Sequence, residues 1–327
     1  MSKQLTVVGC RSAARRASRM MHALIVTLGL ATALLSPTEV QAQQDPLYSQ
    51  YMFNTLAFNP AYAGSADVFT MMALTRHQWV GFEGAPSTQT VALHSPLPWS
   101  GLSLGGVVLH DRVGPARQTG AFLDIAYRIR TGEKSRLSFG LKGGVNFFQA
   151  DLAGLSTVEV DPSTTDLSSK VLPNFGFGLF WHGPRFYVGL SAPKLLENKL
   201  TEAQSAVLTT AKEDRHYFAI AGVVVDLGPD LKFKPSVMLR MVGGAPLSLD
   251  VNANFLMRDR IWLGALYRLG NAFGVMAQYQ FNEQFRAGYA FDLTTTRLGA
   301  YNAGTHEVML SYDLKFTKGR TISPRYF

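Results

Sequence analysis

The chain has 327 residues, 47% of them apolar and 17% charged, with 21 Phe, 12 Tyr and 4 Trp. A composition so aromatic and so sparsely charged excludes a disordered protein. The net charge of +8 does not imply nucleic acid: Lys3, Arg11, Arg15, Arg16 and Arg19 against Glu39 place +4 of it in residues 1–42, and the remaining 26 basic and 22 acidic residues are nearly balanced.

Residues 1–22 are basic, and Ala23–Leu35 is an apolar run of 13 that leads through Ser36-Pro37 to Val40-Gln41-Ala42. That order is the order of a cleaved export signal, expected to span 1–42. A helix needs about 20 apolar residues to cross a bilayer, so this run is too short to span one. Cys10 is the chain's one cysteine. It leaves with the signal, so the mature chain has no disulfide, no thiolate nucleophile and no Cys-ligated metal.

Behind the signal lies Asp45–Gly64, DPLYSQYMFNTLAFNPAYAG, aromatic and almost uncharged. It follows neither a helix nor a strand period. Tyr48, Tyr51, Met52, Phe53, Phe58 and Tyr62 are costly in water and need a surface to cover them. Asn59-Pro60 should set an extended turn.

From there on, period-two alternation dominates. Leu247, Leu249, Val251, Ala253, Phe255 and Met257 alternate with Ser248, Asp250, Asn252 and Asn254, and Val308, Leu310, Tyr312, Leu314 and Phe316 alternate with Met309, Ser311, Asp313 and Lys315. Successive side chains of a strand point to opposite faces, so each segment has one greasy and one polar face. About fourteen such segments are legible. They begin near positions 67, 87, 101, 117, 135, 173, 185, 214, 230, 246, 260, 272, 284 and 305.

Short turns are expected at Ser95–Ser100, Thr131–Lys134, Gly183–Pro184, Gly228–Asp230, Arg258–Asp259 and Asn282–Glu283, and longer links at Val80–Pro86, Ala150–Leu172, Ala192–Lys212 and Thr294–Gly304. Val113–Ala116 and Gly243–Ala245 are short where a long link belongs. Alternating short and long links characterise an up-and-down outer-membrane barrel, with tight periplasmic turns and longer outer loops. The fold expected is therefore an all-β, antiparallel transmembrane barrel of about 14 strands, preceded by a periplasmic N-terminal segment.

Parity sends Lys232, Lys234, Asp250, Arg268, Arg286, Asp292, Asp313 and Lys315 to one face, the lumen. A charge facing lipid at mid-bilayer costs roughly 2–4 kcal/mol, so the outer face excludes it. Trp79, Trp99 and Trp181 fall near strand ends, where an aromatic belt belongs, while Trp262 points inward. Pro235 interrupts a strand pattern and implies a local bulge or a slipped register.

No catalytic or cofactor motif stands out. His77, His94, His110, His182, His216 and His306 form no HxxxH or HxH pair, so no metal site is expected. Gly101-Leu-Ser-Leu-Gly105 matches a nucleophile elbow by letters but opens a strand, without the strand-to-helix turn that an elbow requires. An outer-membrane hydrolase using His94 or His110 is the weakest reading, and the chain is expected not to be an enzyme.

Four blocks carry a family resemblance. They are Asp45-Pro46-Leu47-Tyr48-Ser49-Gln50-Tyr51-Met52 with Asn59-Pro60-Ala61-Tyr62-Ala63-Gly64; Arg76-His77-Gln78-Trp79 through Gln89; Thr305-His306-Glu307-Val308; and Ser323-Pro324-Arg325-Tyr326-Phe327. In this order they resemble the PorP/SprF family of type IX secretion membrane proteins.

The resemblance implies a non-enzymatic outer-membrane component of the type IX secretion and gliding machinery. Its implied partners are outer-membrane lipid, periplasmic secretion components and a secreted cargo such as an adhesin, without nucleic acid or cofactor. The alternative is a passive porin-like channel, since fourteen strands enclose water unless the lumen is filled. Bulky inward residues (Phe122, Trp262, Met276 and Met309) favour filling.

The expected organisation is a signal over 1–42, a periplasmic segment over 43–65, the barrel over 66–317 and a tail over 318–327. The segment either plugs the periplasmic mouth or docks secretion partners. On the docking reading the candidate partner-binding residues are Tyr48, Tyr51, Asn54, Asn59, Pro60, Tyr62, Gly64 and Trp79.

Overall fold

A computed structural model of the chain describes residues 46–98, 101–151, 167–199 and 212–314. The alternating segments form antiparallel strands β1 (Phe69–His77), β2 (Ser87–Pro96), β3 (Leu102–Val113), β4 (Ala116–Arg130), β5 (Arg136–Ala150), β6 (Leu167–His182) and β7 (Phe186–Ala192). Then come β8 (His216–Val223, resumed as Val225–Asp226), β9 (Leu231–Val242), β10 (Ser248–Met257), β11 (Ile261–Arg268), β12 (Ala272–Gln280), β13 (Phe285–Thr294) and β14 (Thr305–Leu314). Each strand pairs with the next, and β1 closes on β14, with Phe69 opposite Leu314 and His77 opposite His306. Closure leaves no unpaired edge, as the absence of water from a bilayer core requires.

The break in β8 comes from a proline on its neighbour. Pro235 has no N–H to donate, and the ladder lapses opposite Val223 and Val224. Ser236 still faces Gly222 and Phe233 still faces Val225, three steps along each strand. Pro235 thus marks neither a bulge nor a slipped register, in contrast to the expectation from sequence.

Parity sorts the side chains as the alternation requires. Arg76, Lys142, Lys234, Asp250, Arg268 and Asp292 point inward and are buried, with Phe122, Trp262, Met276 and Met309 among them. Every strand turns large apolar side chains outward, up to Leu123 and Leu141 at 74% and 68% exposure. Such a wall suits lipid and no other solvent. Trp181 lies on this outer face near the end of β6, whereas Trp99 falls outside the described residues.

At one end every link is short. Arg258 and Asp259 between β10 and β11 have φ of 50° and 52°, as the type I′ hairpin turn demands. The other end carries the longer links, including the one between β13 and β14 with its 3-10 turn Arg297–Tyr301. Short links interrupt that side at Gly114-Pro115, where Gly114 has φ 57°, between β9 and β10, and also at Leu269–Asn271. Strand β6 begins at Leu167, before position 173, where the alternation becomes regular.

Candidate functional site

The segment ahead of β1 lies inside the barrel. Tyr48 through Leu56 and Phe58 through Ser65 are all buried, with Ser49, Gln50, Tyr51 and Asn59 at 0% exposure. Two 3-10 turns, Thr55–Ala57 and Pro60–Tyr62, fold it into the lumen. Proline forces the preceding residue out of the helical region, and Asn59 is extended at φ −131° and ψ 105°. Its Oδ1 accepts from the Ala61 amide at 3.0 Å, and its Nδ2 donates to the Leu179 carbonyl of β6 at 3.0 Å.

At the start of the segment, four strands converge on Ser49 and Gln50. Both oxygens of Glu307 (β14) accept backbone N–H groups, from Ser49 and from Gln50, at 2.8 Å each. Arg76 (β1) donates from Nη1 to Glu307 at 2.9 Å and to Ser49 Oγ at 2.6 Å, and from Nη2 to Asp292 (β13) at 2.9 Å. Ser49 Oγ in turn donates to Asp292. The charges lie outside water, so pairing and charge-assisted hydrogen bonds must offset their desolvation. Gln278 (β12) donates to Gln50 Oε1 at 2.9 Å, and Tyr48 Oη and Thr90 Oγ1 are 2.7 Å apart.

The middle of the segment is aromatic. Phe53 meets Trp262 edge-on at 5.5 Å, and the Lys234 ammonium sits 4.5 Å over the Phe53 ring, with Arg286 at 5.0 Å. Buried cations over ring faces are stabilised by the ring quadrupole. Phe58 stacks on Phe218 of β8 at 5.4 Å. Tyr62 packs edge-on against His94 and Phe180.

The wall is cut to receive this chain. A Cβ at Gly140 would overlap the Ala61 amide nitrogen, and one at Gly178 would overlap Asn59 Oδ1. Backbone can approach a wall this closely only where the wall lacks a side chain. Toward the short-turn end, the Gly64 amide donates to His94 Nδ1 at 3.1 Å, and Arg128 donates to the Gly64 carbonyl at 2.7 Å. Arg128 and Arg136 both bind Asp67, at 2.7 and 2.6 Å, just before β1.

The link between β7 and β8 also reaches into the lumen. Glu213 is buried, and its carboxylate accepts from Asn146 (2.9 Å), Asn198 (2.8 Å), Gln118 (3.3 Å) and Asn174 (3.4 Å). On the exposed part of this link, Lys212 donates to Glu197 and holds its carboxyl below the usual range. Between the segment and this link lies a small cavity of about 40 Å³ beside Tyr48, Phe58, Lys142 and Lys194.

The structure brings seven of the eight candidate partner-binding residues together: Tyr48, Tyr51, Asn54, Asn59, Pro60, Tyr62 and Gly64 all pack inside the barrel. Trp79 stands apart in the link between β1 and β2, with φ 47° and its N–H 3.3 Å from Thr305 Oγ1. Sequence reasoning missed Arg76, Asp124, Lys142, Glu213 and Glu307 as lumen charges. The signal for two of them was present: Arg76 and Glu307 are inward-parity opposite charges within the motif blocks that flank the seam. Among the described residues no group of three His, Cys, Asp or Glu could hold a metal ion.

The profile of a family described as "Type IX secretion system membrane protein PorP/SprF" matches residues 40–312. No curated protein matches the chain. Among solved structures, the Acinetobacter baumannii outer membrane protein Omp33 is similar at 10% identity and a TM-score of 0.46, over 77% of this chain and 100% of that one. A Pseudomonas aeruginosa FadL homologue is similar at 11% identity and a TM-score of 0.46, over 84% and 96%. The KdgM porin is similar at 8% identity and a TM-score of 0.36, over 75% and 99%.

Proposed function

Because the chain belongs to the PorP/SprF family of type IX secretion system membrane proteins, we propose that it is a non-enzymatic outer-membrane component of that machinery. Its role is to support export of secreted proteins such as adhesins, or to hold them at the cell surface. Residues 1–42 act as a cleaved signal, 43–65 as the inner segment, 66–317 as the barrel and 318–327 as a tail. The short turns face the periplasm and the longer links face outward.

The observation that carries this reading over a solute channel is the filled lumen. Tyr51, Asn59 and Ala61 have no exposed surface inside a fourteen-stranded wall, which unfilled would enclose water. Such a barrel serves better as an anchored platform than as a pore. Its partners are periplasmic secretion components and a secreted cargo. Tyr48, Tyr51, Asn54, Asn59, Pro60, Tyr62 and Gly64 contribute to partner binding by a displaced segment, since a partner reaches them only when the segment leaves the lumen. Trp79 contributes from its link.

Deleting the gene tests the role. Secretion or surface display of type IX cargo is expected to fail, and normal display would sink the proposal. Mild-detergent purification of the tagged protein with mass spectrometry then identifies what it accompanies.

A further inference from the structure

The outer wall is not uniformly apolar. At the strand ends beside the longer links, five adjacent strands from β14 round to β4 turn polar side chains outward. Tyr289 Oη lies 2.6 Å from His306 Nδ1, and His306 stands opposite His77 across the seam. The His77 ring lies 3.3 Å from both Thr75 Oγ1 and Ser87 Oγ, and Gln89 donates to Ser87 at 2.8 Å. Gln89 faces His110, whose Nδ1 is 2.8 Å from Thr119 Oγ1, and Arg112 faces Arg117. Gln149 of β5, opposite Arg117, extends the band by one position, and elsewhere the outward positions at this end are apolar or aromatic, as at Phe147, Val171, Leu190, Tyr217, Met241, Tyr267, Phe273 and Leu293.

We propose that this band binds a phosphorylated lipid of the outer leaflet, a lipopolysaccharide-type amphiphile. Arg112 and Arg117 are cross-strand partners, and like charges directly opposite repel unless an anion lies between them. Arg117 also pairs with Asp151 at 3.3 Å, where both side chains are exposed to solvent and the pair is weak. Arginine is the side chain suited to grip phosphate in a forked geometry. His110 and His306, whose Nδ1 atoms are taken by Thr119 and Tyr289, extend the row through Nε2. From β1 to β4 the band covers three strand spacings, roughly 14 Å, enough for a head group with more than one phosphate. Below it the same strands present Met71, Val91, Leu93, Val108, Leu123 and Leu310, a wall for acyl chains. The inference rests on the outer-membrane placement proposed above.

The purified full-length protein in detergent is titrated with lipopolysaccharide and, separately, with phosphatidylglycerol, and binding is read by native mass spectrometry. Wild type is expected to bind lipopolysaccharide saturably and in preference to phosphatidylglycerol. Arg112→Ser with Arg117→Ser is expected to weaken this about tenfold or more. Arg112→Lys with Arg117→Lys recovers part of the loss, and Arg258→Ser with Arg260→Ser at the opposite end changes nothing. Heat-modifiable gel migration checks that each variant is a folded barrel. Undiminished binding by the serine variant, or equal saturable binding of phosphatidylglycerol, overturns the proposal. So does loss of a co-purifying protein with lipopolysaccharide binding intact, which makes the band a protein interface. Failure of the secretion role appears independently, as normal cargo display in the gene deletion.

Discussion

Arg76 and Glu307 face each other as register partners of the first and last strands, and their side chains meet inside the barrel at 2.9 Å. The pair therefore bridges the closing seam and, through Glu307, holds the Ser49 and Gln50 amides. Removing Arg76 would leave Glu307 and Asp292 buried without their cation. Arg76→Ala is expected to cost about 3–5 kcal/mol, read as a lower urea midpoint for unfolding in detergent micelles. An unchanged midpoint for Arg76→Ala would show that the seam does not depend on the pair.

The glycine seats make a separate prediction. Gly140→Ala sets a Cβ against the Ala61 backbone, which has no flexible end to yield. The segment must shift, so the variant should conduct ions in planar bilayers where wild type is closed. A quiet variant together with a conducting wild type would favour the channel reading instead.

Phe53 tests the aromatic centre. Phe53→Ala removes a ring that packs on Trp262 and lies beneath Lys234 and Arg286. The expected loss is about 3–5 kcal/mol in unfolding free energy. Phe53→Leu should lose less, because it keeps the volume and forfeits only the ring's attraction for the cations.

Glu213 tests the latch between β7 and β8. Glu213→Gln turns one acceptor oxygen into an NH2 group that faces amide donors from Asn146, Asn174 and Asn198. The cost should be about 1–3 kcal/mol, seen as faster proteolysis in the link. Cleavage at the wild-type rate would show that the latch is not what holds it.

Tyr51→Ala together with Tyr62→Ala addresses the segment's role toward partners. The barrel should remain inserted while co-purification of secretion partners falls. Unchanged co-purification leaves the segment as a filling of the lumen alone.

The sequence by itself determined the strand number, the face each strand turns to lipid and the side on which short turns cluster. These follow from local rules: period two, turn residues and the cost of charge in hydrocarbon. It also marked Asp45–Gly64 as a stretch that needs a surface. Which surface was a tertiary decision. Gln50 meets residues more than 200 positions away, and Gly140 and Gly178 become seats only once the wall curves round Ala61 and Asn59. Arg76 and Glu307 were readable as inward charges, but their partnership exists only because the barrel closes β14 onto β1. Closure couples the two ends of the chain, and no periodicity along one strand encodes which residues will then share the lumen.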